Sequence, residues 1–425
     1  MKRLAKRIFP YIPVWLRRIA TSVYEVHYAR IASTAMGLEG VDVSVSKTGR
    51  NVKPRMLFYH PSGLSFGGTE KFLQILARHI NKDKYDTYFL YSAKPRRATG
   101  LDLRLDGRLS YLEGQGVKLI AFDYESMDQD YPYVIRKATP TIFEVLRQEN
   151  IDLVVTAGTG YTEFPFNLIR DIPIVMLNIF GSFNVQKNFA LNCCISNEVA
   201  DKIRPIVPEK KIEVMYIPSD GPTAESLVAG QALRGRLGIA PEAMVFGRIG
   251  RGSDDIFDPI GIRAFQRLVA EDQSVHYLIM SPMPVVKKIV EEEKIPNVHF
   301  LPASSSESDV WAFHQVIDCL AHFRHDGESC GLNIAEAMLC AKPIITHRSP
   351  IWNAHLEYLK PEFSRVADIN DIDGYYAHMK EYTALKKEGG LARVGELARA
   401  QAEPLFLIKN SITRFEGWVD KILCR

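Results

Sequence analysis

Apolar residues along this chain gather in short unbroken runs instead of alternating with polar ones. MLFYH (56–60), TYFLYS (87–92), VKLIAF (117–122), IDLVVTAG (151–158), IPIVMLNIF (172–180), LNCCIS (191–196) and IEVMYIP (212–218) all have this form. Runs of that kind predict parallel strands covered on both faces. Helical periodicity lies between several of them, in TEKFLQILARHI (69–80) and TIFEVLRQEN (141–150). Strand, helix, strand is the order of a doubly wound α/β domain.

SDGPTAESLVAGQ (219–231) is small, polar and poor in large apolar residues, which predicts a linker. A second series follows: MVFGRIG (244–250), VHYLIMS (275–281), VHFLPA (298–303), VIDCLAHF (316–323) and KPIITHR (342–348). Helices fit between these at IGIRAFQRLVAED, PVVKKIVEEEK, ESDVWAFHQ and LNIAEAMLC, so a second domain of the same class is expected. The tail from LARVGELARAQAEP onward is helical and amphipathic, long enough to return to the first domain. The expected organisation is a basic N-terminal segment over 1–50, an N-terminal domain over 51–222, a C-terminal domain over 223–402 and a returning helix over 403–425. Ligands of such folds bind at the carboxyl ends of the strands, which places the chemistry in a cleft between the two domains.

At 425 residues the chain has room for two cores, and 46% hydrophobic with 24% charged residues is a globular composition. The net charge of +3 conceals a local excess: residues 1–31 hold seven Lys or Arg and one Glu, so that stretch is +6 and the remainder about −3. Within MKRLAKRIFPYIPVWLRRIA the basic residues interleave with Leu4, Ile8, Phe9, Ile12, Trp15 and Leu16, a pattern suited to an anionic membrane surface. An arm packing its apolar residues on its own protein is the alternative; nucleic-acid binding is disfavoured because no basic patch recurs downstream. The expected location is cytoplasmic, with peripheral contact at the inner membrane face. No run reaches the roughly 18 apolar residues of a spanning helix, and Pro10 and Pro13 interrupt the nearest approach to a signal-peptide core. The six cysteines show no CxxC pair and no zinc spacing, and read as reduced core residues.

Three stretches carry candidate chemistry. MLFYHPSGLSFGGTEKFLQIL reads as strand, glycine loop and helix, with Gly63, Gly67 and Gly68 allowing close backbone approach and the helix start at Thr69 and Glu70 presenting amides to a ligand. It is neither a Walker loop nor a dinucleotide fingerprint, and a tight structural turn is its other reading. His60, at the strand end, is either catalytic or satisfied by a neighbour. FGRIGRGSDDIF places Arg248 and Arg251 after a strand, where a guanidinium can neutralise a phosphate, unless Asp254, Asp255 or Asp258 pairs with it. HFRHDGESCGLNIAEAM runs from a strand through a glycine-flanked loop into a helix near Leu332, so the backbone of Ser329, Cys330, Gly331 and Leu332 can receive a diphosphate. Glu328 on the loop can then bond hydroxyls of a transferred sugar and favour a positive anomeric centre, while Glu336, one turn into the helix, can bind ribose hydroxyls.

FGGTEKFLQILARHI, FGRIGR and GESCGLNIAEAMLCAKPII together resemble the retaining glycosyltransferases of family 4, the glycosyl transferases group 1, over roughly residues 55–420. The resemblance implies the GT-B fold: two doubly wound Rossmann-like domains facing across a cleft, with a C-terminal helix returning to the N-terminal domain. It also implies a metal-independent transfer from a nucleotide-sugar donor held by the C-terminal domain to a glycan or lipid-linked acceptor on the N-terminal one. No separate cofactor is expected. Glu328 takes the position of the family's sugar-contacting glutamate, Glu336 that of its ribose-binding glutamate and Arg248 that of its phosphate-binding arginine. Two features depart from the pattern. No lysine occurs from Gly252 to Val286, where the family carries a second phosphate contact; either Arg251 substitutes for it or half of the phosphate clamp is missing. The histidine that follows the family's IPxV strand is absent, and Asn178 and Phe180 stand there instead. A nucleotide-sugar-binding protein without turnover, or an epimerase or phosphorylase of the same fold, are the alternatives these departures leave.

Overall fold

The computed structural model describes Leu16 and residues 52–60, 64, 67–92, 106–123, 139–160, 165–304 and 306–424. Apart from Leu16, the basic segment lies outside the described residues, as does Gly63. The chain divides into two compact units, one of Met1–Tyr216 with Ser411–Arg425 and one of Ile217–Asn410.

In the first unit the elements are β1 (Arg55–Tyr59), α1 (Gly68–His79), β2 (Asp86–Ser92), α2 (Asp106–Leu112), β3 (Val117–Phe122), α3 (Ile142–Gln148), β4 (Leu153–Gly158), β5 (Ile174–Asn178), β6 (Phe189–Cys194), α4 (Asn197–Ile203) and β7 (Ile212–Val214). The sheet order among the described residues is β3-β2-β1-β4-β5-β6-β7, with every neighbouring pair parallel. Central strands β4 and β5 are apolar and buried almost throughout, whereas edge strand β3 is mostly half-exposed. That difference is the reason the central runs are continuous in sequence. Helix starts are set locally: Thr141 and Glu144 form a reciprocal capping box, and Ser196 caps α4. Residues 411–425 join this unit through a hydrogen bond from the Tyr85 hydroxyl to Asp420 (2.6 Å) and one from the Asn81 amide to Glu416 (2.8 Å).

The second unit contains α5 (Ala224–Arg236), β8 (Met244–Ile249), α6 (Ile260–Glu271), β9 (Val275–Met280), α7 (Pro284–Glu292), β10 (Val298–Leu301), α8 (Glu307–Val316), β11 (Cys319–Ala321), β12 (Gly327–Glu328), α9 (Leu332–Leu339), β13 (Ile344–His347), β14 (Trp352–Asn353), β15 (Ser364–Ala367), α10 (Ile372–Lys387) and α11 (Leu391–Phe406). The last helix, α12, spans Ile408–Leu423. Its main sheet is parallel in the order β10-β9-β8-β11-β13-β15. The chain builds outward from β8 through β9 to β10, then crosses back to β11 and builds the other way. The carboxyl ends of β8 and β11 therefore flank a topological switch point, where open α/β sheets bind ligands.

The stretch expected to be a linker is largely helix. α5 begins at Ala224 behind a Thr223–Ser226 capping box, and its small residues serve packing: a Cβ on Gly230 would lie 2.4 Å from Gln315 Cβ. Composition alone does not distinguish a flexible connector from a helix pressed against a neighbour.

Candidate functional site

Arg248 leaves the carboxyl end of β8 and is only 2% exposed. Its guanidinium carbon sits 5.4 Å from the Phe323 ring centroid, and its terminal nitrogens donate weakly to the Arg251 carbonyl (3.3 Å) and the Ser281 carbonyl (3.5 Å). Its Nε has no hydrogen-bond partner among the described residues. Burial pulls the guanidinium down to about 10, with Tyr277 and Glu328 acting in the opposite direction and Arg324 adding repulsion. The nearby acids are engaged elsewhere. Asp255 holds Arg251 (2.8 Å), Asp254 accepts the Val285 amide (3.0 Å) and Asp258 accepts the Ile260 amide (2.9 Å). A desolvated cation with weak acceptors and an unused donor is suited to an anionic ligand.

Glu328 is placed by β12, which pairs in parallel with β14 through Gly327–Trp352 and Glu328–Asn353. Only glycine fits before it: Gly327 has φ +66°, and a Cβ there would come 1.9 Å from the Trp352 carbonyl oxygen. The Glu328 carboxylate lies 3.1 Å from His322 Nε2 and 3.7 Å from an Arg324 nitrogen. Burial works to raise its pKa, but the His322 hydrogen bond and the charge of Arg324 outweigh it and hold the carboxyl down at about 2. Arg324 is itself forked onto Asp326 through Nε and Nη2.

Three residues beyond Glu328, Gly331 occupies the left-handed region at φ +82° and opens α9 with no side-chain cap. The Tyr358 hydroxyl donates to the carbonyls of Cys330 (2.6 Å) and Gly331 (3.2 Å), fixing the backbone before the helix. Asn333 donates to the Ile249 carbonyl (2.9 Å), which ties the first turn of α9 to the residue after Arg248. Uncapped amides at a helix start carry partial positive charge and favour an anion. Cys330 is buried, its thiol pushed up to about 12 by burial, and accepts the Ile217 amide at 3.5 Å; it is a packing residue. Ser329 and Leu332 are half-buried.

The structure thus gathers Arg248, Glu328 and the Ser329–Leu332 backbone around the switch point. Glu336 lies deeper, 4% exposed, with one carboxylate oxygen 3.5 Å from Nε2 of the fully buried His314. Arg251 is directed to an exposed ion pair with Asp255. His60, Gly67 and Gly68 belong to the first unit. There His60 Nδ1 is 3.8 Å from Glu70, and the Glu70 carboxylate folds back over Gly67, where a Cβ would meet it at 2.1 Å. The α1 start, expected to offer its charge to a ligand, has its own carboxylate against it. Asn178 is fully buried, donates to the Ser182 carbonyl (2.8 Å) and accepts the Gly181 amide (2.9 Å), so it shapes the loop carrying Phe180, which is half-exposed.

Sequence reasoning missed the support beneath Glu328. His322, Arg324 and Asp326 stood within the run HFRHD, read only as a lead into the loop. Thr346 lies in the KPIITHR run, read only as a strand, and Asn353, His355 and Tyr358 lie in SPIWNAHLEY, which follows it and carries no sequence expectation. The density of histidine and asparagine just past a strand was the available signal. Among the described residues, no group of three or more His, Cys, Asp or Glu is arranged to hold a metal ion.

Residues 261–382 match the family model described as Glycosyl transferases group 1. The match covers α6 through most of α10, including the Glu328 loop and α9. No curated protein matches the sequence. Solved structures similar to the chain include a glycosyltransferase from Rickettsia africae ESF-5, at TM-score 0.65 and 13% identity over 88% of this chain and 99% of that one. Anabaena Alr3699/HepE in complex with UDP and glucose aligns at TM-score 0.62 and 16% identity, over 87% of this chain and 99% of that one. WaaG, a glycosyltransferase involved in lipopolysaccharide biosynthesis, aligns at TM-score 0.57 and 14% identity, over 86% and 99%. The fold is therefore α/β with two parallel Rossmann-like sheets, the GT-B class.

Proposed function

We propose that this protein is a retaining glycosyltransferase that moves a sugar from a nucleotide-sugar donor to a glycan or lipid-linked acceptor without requiring a metal. The observation that carries the reading is Arg248, a buried guanidinium with an unused donor, next to the uncapped start of α9 and the ionised Glu328. The family match over that region and the similarity to a structure holding UDP and glucose support it.

In this reading the donor diphosphate lies across the amides near Gly331 and Leu332 and against Arg248. As the bond from the anomeric carbon to phosphate breaks, the electron pair leaves with the phosphate oxygen, and Arg248 and the helix amides take up that charge. Glu328, kept ionised by His322 and Arg324, favours positive charge at the anomeric carbon and grips sugar hydroxyls. The acceptor hydroxyl forms the new bond on the face the phosphate leaves, and its proton passes to the departing phosphate oxygen. Glu336 is assigned to the ribose. The first unit, with His60 and the Gly67–Gly68 loop, is assigned to the acceptor. The basic residues 1–31 are assigned to an anionic membrane surface at the cytoplasmic face; no helix among the described residues is long and apolar enough to span a membrane.

Hydrolysis and transfer assays with UDP-, GDP- and ADP-sugars test the reading. Turnover is expected with one donor class, and Glu328→Ala and Arg248→Ala should abolish it; unchanged turnover in either variant refutes the assignment. A nucleotide-sugar binder without turnover is the second reading, favoured by the engagement of Arg251 with Asp255, which leaves Arg248 without the expected second cation from its own loop. Calorimetric binding without transfer over an acceptor panel would select it, and an epimerised or phosphorolysed product would select the remaining alternatives.

A further inference from the structure

We propose that His322, Thr346 and His355 form a hydrogen-bonded chain whose role is to position Glu328, with His322 as the residue that acts on it directly. The proposal rests on the glycosyl-transfer reading for the purpose of the chain, while the chain itself stands on geometry. His322 Nε2 is 3.1 Å from a Glu328 oxygen, His322 Nδ1 is 3.1 Å from the Thr346 hydroxyl, and that hydroxyl is 3.4 Å from His355 Nε2. His322 is 3% exposed, and Thr346 and His355 are fully buried.

The direction of each bond follows from what the groups can do. An ionised carboxylate only accepts, so His322 must carry its proton on Nε2. When the ring is neutral, Nδ1 is the acceptor and takes its hydrogen bond from the Thr346 hydroxyl. The same oxygen lies 3.4 Å from His355 Nε2, and His355 also has a hydrogen bond to the His347 backbone. Burial brings His355 down to about 3, so it stays neutral through the physiological range. The third ring in the cluster is set in the same manner: His347 Nε2 accepts the Arg324 amide (3.1 Å) and its Nδ1 faces the Arg348 carbonyl (2.8 Å). The backbone is held as well, since the Tyr375 hydroxyl donates to the His322 carbonyl at 3.0 Å.

Other charges reach this cluster. Arg324 and Arg248 approach from the ends of β11 and β8, Glu357 follows His355, and Asp258 and His325 act on His347. Of these groups, the hydrogen bond to Glu328 comes from His322. Its consequence is a carboxylate with one ionisation state and one rotamer, which is what a group aimed at a developing positive centre requires.

The test compares His322→Phe, His322→Gln and Thr346→Val with the wild type in the full chain. Phe keeps a ring and removes the donor, Gln keeps a donor for Glu328 and Val removes only the hydroxyl. We expect Phe to lower kcat by about ten- to a hundredfold, as loss of a hydrogen bond to a charged group should, with donor KM nearly unchanged and the acid limb of the kcat profile moved up by about one pH unit or more. Gln should recover most of that loss, and Val should move the acid limb in the same direction by less. A Phe variant with wild-type kcat and pH profile, or a Gln variant as impaired as Phe, overturns the proposal. Nitrogen-15 histidine NMR of the wild type reads the chain without turnover: the Nε2–H tautomer of His322, lost as a single form in Thr346→Val, is expected, and an Nδ1–H tautomer overturns it. Absence of turnover in the wild type with the expected tautomer refutes the transfer reading and leaves the chain standing. If His322→Phe does not fold, the Thr346→Val profile and the wild-type tautomer decide.

Discussion

Arg248 and Glu328 make opposite demands on the same small volume, and each can be tested alone. Arg248→Gln removes a buried charge that has no carboxylate to lose. Its effect should therefore appear chiefly on anions: affinity for the best-bound of UDP, GDP and ADP falls by about ten- to a hundredfold, while affinity for the corresponding nucleoside is unchanged. Calorimetry with both ligands checks this. Glu328 and His355 both contribute to the acid side of stability, beside other depressed groups such as Asp272 and His347. Glu328 is depressed from 4.5 to about 2, so its contribution is full above about 4.5 and is lost as pH falls toward 2. His355 is depressed from 6.5 to about 3; the unfolded chain takes up that proton first, so stability falls as pH drops from 6.5 toward 3. Melting temperatures from pH 7 to pH 3 should fall less steeply in His355→Gln, with the difference opening below about pH 6.5. An identical slope in the variant would remove His355 from the account.

At the level of elements, α5 offers a matched pair of glycines. Gly230→Ala would put a Cβ 2.4 Å from Gln315 Cβ and 3.2 Å from the Ala312 carbonyl, and should destabilise by about 1–3 kcal/mol through overpacking. Gly235→Ala, on the same helix with nothing within 4 Å, should stabilise by about 0.4–1 kcal/mol. Denaturant titration of both variants reads the two signs. This helix also marks where the sequence became illegible. Strands such as β4, β5 and β8 are continuous apolar runs because helices cover both faces, and that signal survives in one dimension. The small residues of α5 have no such signature, since the reason for them lies on α8. The β12–β14 pair is two residues long, below any periodicity, yet it aims Glu328. The helix start at Leu332 was readable from glycine placement, whereas the shielding of α1 by Glu70 was not, because a glutamate in a first turn reads equally as a helix former. For the same reason Glu336 was placed on its helix correctly while its burial beside His314 depended on α8.

For the whole molecule, the two units are built alike but carry different chemistry at their strand ends. In the second, a charged group lies beside a bare helix start; in the first, Asn178 is consumed by its own loop and Glu70 folds back over Gly67 at the start of α1. A thermal-shift screen should therefore find the folded protein stabilised by one nucleoside diphosphate, by about 2.7 kcal/mol at a hundredfold excess over Kd, and unaffected by the free sugar. The N-terminal segment is tested by sedimentation with anionic liposomes: the full chain should pellet, the chain lacking residues 1–31 should not, and equal partitioning removes the membrane assignment.

The near-complete enclosure of Arg248 has one more consequence. Its hydration was surrendered when the chain folded, so a phosphate arriving there displaces little water from the cation and encounters a field that dissolved ions do not screen well. Raising ionic strength should accordingly slow the encounter far more than it hastens escape, and the residence time of the bound nucleotide should be nearly the same in dilute buffer and in concentrated salt.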